Sequence, residues 1–331
     1  MTETTAAPKK TPTESDVYDR QIRLWGAEAQ KKMQNSKVLY IHITGGSSEV
    51  LKNLCLAGIK AEICDPRPAS ALDGAPCFFT HPNNSPKKKM KYDSVAHSVK
   101  PLVEELNPLL GACPIVEKEV SALTKEDLQD YAVVVASKLP VDEAVRLSKL
   151  LADGSVFYTI DCFGMRGATM IEFGNGENFR YRPEVGKKLL DPTPLKDIVS
   201  LPEMVEVPLH KVTNRFFKKG PPPTWVMYRA LLEYQKQTGH WLGDEGVDSD
   251  QAKESIGAFL KEQQVALTEE ELHDLVTAGM AQVVPVCAVL GGMVGNEVIK
   301  IISGKGEPAN NTLLLEGKAC KCWTFMVKAK A

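Results

Sequence analysis

The stretch 37–65, KVLYIHITGGSSEVLKNLCLAGIKAEICD, constrains the fold of this chain more than any other. Residues 38–43 have the β-branched and aromatic content of a strand. A glycine turn follows, then a helical run at about 49–57, then a second strand that ends on an acid. That order is the opening βαβ unit of a nucleotide-binding fold. The acid also has the spacing of a dinucleotide fingerprint, since Gly45 to Asp65 is 65 − 45 = 20 positions. The glycines do not fit. Where the fingerprint has GxGxxG, the turn holds Gly45 and Gly46 and then Ser47 and Ser48. A frame for nucleotide is therefore announced, and its phosphate cradle is spoiled.

The flanking sequence extends the pattern. Ahead of the unit, Ile22, Trp25, Ala29 and Met33 recur at intervals of 3, 4 and 4, the apolar face of one helix or of two short helices broken near Gly26. Arg20 and Arg23 fall off that face. From periodicity alone they read as a solvated face, with Asp16 and Asp19 near the helix start. After the unit come a Pro/Ala/Asp-rich loop (66–86) and a basic helical stretch (87–106) with Pro101 inside it. Then follow a strand at 113–120, a short helix at LTKEDLQD, a buried strand at 131–137, a helix stopped by Gly154 and a strand at 156–162. This alternation predicts an α/β fold: a doubly wound, mostly parallel sheet with helices on both faces.

Beyond Cys162 the pattern changes to two glycine-linked strands, possible antiparallel partners. A Pro- and Lys-rich segment of no clear period follows at 183–222. Helices then resume, one of them opened by a Thr268/Glu271 capping box. The last helix spans about 285–303 and carries Gly291, Gly292 and Gly295, each costing about 1 kcal/mol against alanine. Close approach of another backbone would offset that cost. NNTLLLEG and CWTFMVK close the chain as strands. The domain expectation is a polar, disordered lead-in at 1–15 and an α/β domain at 16–182. An irregular insertion at 183–222 and completing helices and strands at 223–331 follow.

Composition narrows the function classes. Forty basic against forty-two acidic residues give a net charge of −2, so charge supplies no reason to expect nucleic acid or an anionic membrane as partner. The eight cysteines include no CxxC pair, which speaks against structural zinc, and several sit in strand-like runs as buried thiols do. The first residues lack the apolar core of a signal peptide, and the longest apolar run, 283–289, is short for a membrane span. Cys320-x-Cys322 reads as edge-strand packing and Cys287 as core. KKKMK (87–91) reads as a solvated helix start in preference to a nuclear localisation patch. His81, His97, His210, His240 and His273 have no ligand spacing.

Three blocks carry a resemblance. YDRQIRLWGAEAQKKMQNSKVLYIHITGGSSEVLKNLCLAGI at the start, DCFGMRG in the middle, and PVCAVLGGMVGNEVIK with NNTLLLEG at the end resemble the non-cysteine subunits of heterodimeric ubiquitin-like-activating enzymes. These have the Rossmann-like, ThiF/MoeB-type adenylation fold. The resemblance covers most of 16–165 and 223–317 and is weak across 183–222. DRQIRLWG is also shared with the regulatory subunit of the NEDD-type enzyme, a much longer chain, so length favours the SUMO branch.

What the resemblance implies is a pseudo-active half, a regulatory subunit without a complete active site. Its partner would be a cysteine-bearing catalytic subunit that holds most of the ATP and Mg site. Together they would adenylate the C-terminal glycine of SUMO and pass it to the partner's cysteine as a thioester, the first step of sumoylation. A downstream conjugating enzyme and a nuclear, also cytoplasmic, location go with this. The arginine of the family's DRQ block crosses the interface to the ATP phosphates, and here that position is Arg20. Gln21 and Arg23 fit interface or packing roles. Against the family's glycine loop, His42 replaces the first glycine and Ser47 a later one. The family's NLNRQ arginine is missing, with DPRPASALDGAPCFF in its place. Gly45, Gly46 and Asp65 are then vestigial, and no metal site is expected. Two other readings stay open: a self-sufficient Rossmann enzyme, and a scaffold in which Arg20 is inert.

Overall fold

The computed structural model describes residues 14–80, 92–174, 176–186, 188–212 and 220–328. The βαβ unit is there: strand β1 (Lys37–Ile41), helix α3 (Gly45–Leu56) and strand β2 (Lys60–Cys64), with β1 and β2 parallel in register Lys37↔Lys60. The helix starts four residues earlier than its apolar pattern predicts, because Thr44 and Ser47 cap it reciprocally and draw both glycines into its first turn. Ahead of the unit lie α1 (Glu14–Trp25) and α2 (Ala27–Asn35), broken as expected at Gly26, whose φ of 85° is open to glycine.

The remaining strands are β3 (Val133–Ala136), β4 (Val156–Thr159), β5 (Asp161–Phe163) and β6 (Arg166–Phe173), then the short β7 (Arg180–Tyr181), β8 (Glu184–Val185), β9 (Lys188–Leu189) and β10 (Thr193–Pro194), and finally β11 (Thr312–Glu316) and β12 (Lys321–Phe325). The main sheet runs β12-β11-β6-β4-β3-β1-β2, with β5 beside β6. β2, β1, β3 and β4 are mutually parallel, while β6, β11 and β12 extend the sheet antiparallel. The predicted doubly wound α/β architecture is the observed one, and the change of texture after Cys162 is the change of strand direction. The strand expected at 113–120 is absent: Ile115 makes a single bridge to Ile63, and a 3₁₀ turn at Val120–Ala122 follows. The apolar residues there reach the core without a neighbouring strand to complete a ladder.

The other helices are α4 (Val95–Leu106), α5 (Lys125–Leu128), α6 (Val141–Ser148), α7 (Leu201–Glu206), α8 (Pro223–Thr238), α9 (Ser249–Glu262), α10 (Glu269–Ala278) and α11 (Val284–Ser303). The 87–91 basic run and His81 lie outside the described residues, and α4 continues through Pro101. The α10 capping box forms as expected. Strand residues alternate between two cores. Leu39, Ile41, Val134 and Phe157 meet the α6–α10 side, while Val38, Tyr40, Val135 and Tyr158 meet the α3–α4–α11 side. Burial on both faces is why these strands read as nearly continuous apolar runs.

α11 lies parallel to α3. A Cβ on Gly291 would come 2.5 Å from the Glu49 Cβ and 3.0 Å from the Gly46 carbonyl, and one on Gly295 would come 3.4 Å from the Asn53 Cβ. The expected close approach is thus real at two of the three glycines. Gly292 is different: among the described residues nothing lies within 4 Å of its would-be Cβ. Among the described residues, α11 is the one helix long and apolar enough to cross a bilayer, and 56% of its apolar window is buried inside the fold.

Candidate functional site

In an open α/β sheet the ligand crevice lies beyond the carboxyl ends of the strands, where strand order reverses. Here that place is between β1 and β3, at the start of α3. A crevice of about 290 Å³ is found there, lined by Ile43, Thr44, Arg67, Lys138 and Gln282 among others. It is at the low end of the roughly 300–1,000 Å³ typical of ligand pockets.

The usual attraction of such a helix start is its free N–H groups, which cradle phosphate. In this chain three of the N–H groups around that start are already engaged by side chains. The Ile43 N–H donates to Asp65 Oδ2 at 2.6 Å, the Thr44 N–H to Ser47 Oγ at 2.9 Å, and the Gly45 N–H to Gln282 Oε1 at 2.7 Å. Gly45 is required by packing: its Cβ would meet Gln282 Oε1 at 2.7 Å and Cys287 Sγ at 2.8 Å. A Cβ on Gly46 would come 3.3 Å from Ile160 and from the Cys162 sulfur.

Asp65 is equally committed. It is buried, and Arg67 grips it through Nε (2.8 Å) and Nη2 (2.7 Å), while the Arg67 N–H donates at 3.3 Å. With the Ile43 N–H that makes four donors to one carboxylate, which fills its acceptor positions and leaves none for a ribose hydroxyl. The same Arg67 Nη2 also donates to the Ile43 carbonyl at 2.9 Å, so the guanidinium is used internally. His42 sits in left-handed backbone, φ 57°, as a glycine would. Burial, and next the Arg67 charge, push its imidazole down to about 4, so at neutral pH it brings no positive charge to the crevice. Lys138 is paired with Asp244 at 3.2 Å, and its N–H caps the buried Asp161, whose other oxygen accepts from the Tyr228 hydroxyl at 2.7 Å. A nucleotide does not fit these residues as they stand.

Arg20 is elsewhere. Helix α1 is anchored at the far end of α3: Gln21 Nε2 donates to the Leu56 carbonyl at 2.9 Å, and the Tyr18 hydroxyl accepts from Asn107 at 2.9 Å. Twelve residues of α3, about 18 Å, separate that end from the crevice. Arg20 is exposed and makes no ion pair or hydrogen bond among the described residues, whereas Arg23 is tied to Asp19 at 2.9 Å. At spacings of i, i+3 and i+7, Arg20 shares its outward stripe with Val17 (45% exposed) and Leu24 (72%). Gln21, which the sequence suggests for an interface or packing role, is held by its bond to the Leu56 carbonyl. Sequence reasoning missed Gln282 and Lys138, which act here through contacts distant in sequence, and Arg67, which grips Asp65 two residues away and reaches the Ile43 carbonyl. No cluster of three metal-ligating side chains occurs among the described residues. The cysteines are free; Cys287 is core and Cys322 lies on edge strand β12.

Fold and site together define a class: a nucleotide-type α/β domain with side chains of its own in the cradle and, toward the other end of α3, an exposed arginine without a partner among the described residues. No family model matches the chain. Curated relatives do. SUMO-activating enzyme subunit 1B-1 of Arabidopsis thaliana is 30% identical over 315 residues, covering 91% of this chain and 92% of that protein. SUMO-activating enzyme subunit 1 of Dictyostelium discoideum is 28% identical over 93% and 91%, and that of Xenopus laevis 26% over 92% and 93%. The chain belongs to the SUMO-activating enzyme subunit 1 family.

Proposed function

We propose that this chain is the non-cysteine subunit of a two-subunit SUMO-activating enzyme. It supports ATP-dependent adenylation of the SUMO C-terminal glycine and thioester formation on its companion subunit. The observation that carries the reading is the pairing of a self-filled crevice with an unpaired arginine about one helix length away. Within the chain Arg20 has no phosphate to meet. Against a nucleotide held by the companion subunit, its planar guanidinium offers bidentate donors to phosphate oxygens and offsets charge building on the departing pyrophosphate. The companion supplies the cysteine and holds ATP and Mg; a conjugating enzyme takes the thioester onward, with the nucleus as the main location. The exposed Val17 and Leu24 beside Arg20 suit a stripe that another chain covers.

The test is ATP–pyrophosphate exchange by the assembled enzyme carrying Arg20→Ala. Losing one preorganised charge contact at the reacting phosphates lowers exchange about 10²–10³-fold, with assembly intact by gel filtration. Undiminished exchange would sink the role given to Arg20.

A further inference from the structure

Cys162 in β5 and Cys287 near the start of α11 are far apart in sequence, yet they meet beside the glycines that open α3. A Cβ on Gly45 would come 2.8 Å from the Cys287 sulfur, and one on Gly46 would come 3.3 Å from the Cys162 sulfur. Both sulfurs therefore lie against the same turn of α3. They also touch each other: the Cys162 S–H donates a hydrogen bond to Cys287 Sγ. Both are buried, free thiols.

Contact has opposite effects on the two. Cys162 is held well above the ordinary thiol range, by that bond first and then by burial, so it keeps its proton. Cys287 is drawn below the ordinary range, first because Cys162 donates to it. Backbone N–H groups of Val283 and of Cys287 itself, at the helix start, add to this against the opposition of burial and the Glu49 charge. An acidic thiol beside one that keeps its proton is the arrangement of a dithiol redox pair. A third thiol, Cys77, is close by, but burial pushes it up to about 11. The Cys287 sulfur lies one side chain behind the crevice: it is 4.0 Å from Gln282 Oε1, and Gln282 lines the crevice wall. The oxidant that suits such a place is small and uncharged.

We propose that Cys287 and Cys162 are an oxidative modification site, closing to a reversible disulfide when the chain meets hydrogen peroxide. The Cys287 thiolate attacks one peroxide oxygen, the O–O bond breaks, and Cys287 becomes a sulfenic acid. The hydroxide that leaves takes up the proton Cys287 gave up and becomes water. The Cys162 sulfur then attacks the sulfenic sulfur, the S–O bond breaks, and the departing hydroxide takes the Cys162 proton as a second water. Two electrons pass from the sulfur pair to the peroxide, and a dithiol reductant reverses the change. The new bond ties β5 to α11 across the first turn of α3 and closes a long loop, so the oxidised chain is harder to unfold. Nothing is required of a companion subunit.

The test treats the folded full-length chain with a small excess of hydrogen peroxide, in a Cys320→Ser/Cys322→Ser background that removes the two thiols nearest solvent. Of the eight cysteines six then remain, and the free thiols counted after unfolding should fall to four. The mass should drop by two hydrogens, and peptide mapping should find Cys162 joined to Cys287. Dithiothreitol should restore all six thiols and lower the melting temperature again. Cys162→Ala should leave a sulfenic acid on Cys287 that dimedone traps, whereas Cys287→Ala should leave every remaining thiol unoxidised. Should either variant fail to fold, mapping of the parent chain still decides. Six thiols surviving treatment would overturn the proposal. So would a link from Cys287 to Cys77, a link between two chains, or one that forms as fast in urea as in the folded chain.

Discussion

Ser47 is the residue that breaks the glycine fingerprint, and it also caps α3: its Oγ accepts the Thr44 N–H, and its own N–H donates at 3.5 Å to Thr44 Oγ1. The substitution that spoils a phosphate seat is thus the one that fills it. Its neighbours titrate accordingly. His42 takes a proton near 6.5 when unfolded and only near 4 in the fold. Its contribution to stability is complete above 6.5 and is lost as pH falls toward 4. His42→Gly keeps the left-handed backbone without strain and should make acid destabilisation shallower across that window, as read by urea midpoints at a series of pH values. Glu172 is the opposite case. Burial pushes its carboxyl up to about 7 although the Leu201 N–H donates to it. The unfolded group ionises near 4.5, so its contribution is present at low pH and declines as pH rises from 4.5 through 7. Glu172→Gln keeps an acceptor for Leu201 and should flatten the alkaline side of the same midpoint series. Gln282→Ala frees the Gly45 N–H but leaves it buried, and should cost about 1–3 kcal/mol in denaturant melts. No ATP binding should be gained, because Ile43 and Thr44 still have their donors engaged.

At the scale of elements, the sequence was most legible where a period ran long. The βαβ unit, the break at Gly26, the Thr268 capping box and the stop of α11 at Gly304 were all readable from spacing and cap chemistry. The segment 113–120 misled because apolar alternation is shared by strands and by loops that dip into a core; whether a ladder partner exists depends on residues far away in sequence. The same reason hid the side chain that occupies the Gly45 N–H. Gln282 reaches Gly45 across 237 positions, and no local pattern encodes that contact. The α11 glycines were legible as a group but not one by one, and they separate by substitution. Gly291→Ala puts a Cβ 2.5 Å from Glu49 and should cost about 1–3 kcal/mol in thermal melts. Gly292→Ala meets nothing and should gain about 1 kcal/mol. Equal effects of the two would contradict the packing described for α11.

At the scale of the whole molecule, the chain is a nucleotide-type frame whose binding end has been closed from within. Arg20, the arginine proposed to act, stands at the other end of α3. The frame is still useful because it is stiff: α3 and α11 lock through Gly291, and Lys305 reaches from beyond the end of α11 to the Trp25 carbonyl at the end of α1. On this account the assembled pair is asymmetric, with one nucleotide site on the companion and a structural remnant here. The decisive measurement is the stoichiometry of Mg·ATP binding to the purified two-subunit enzyme by equilibrium dialysis, with the isolated chain run in parallel. One nucleotide per pair and none on the isolated chain is the predicted result. Two per pair, or Mg-dependent binding to the isolated chain, would contradict it.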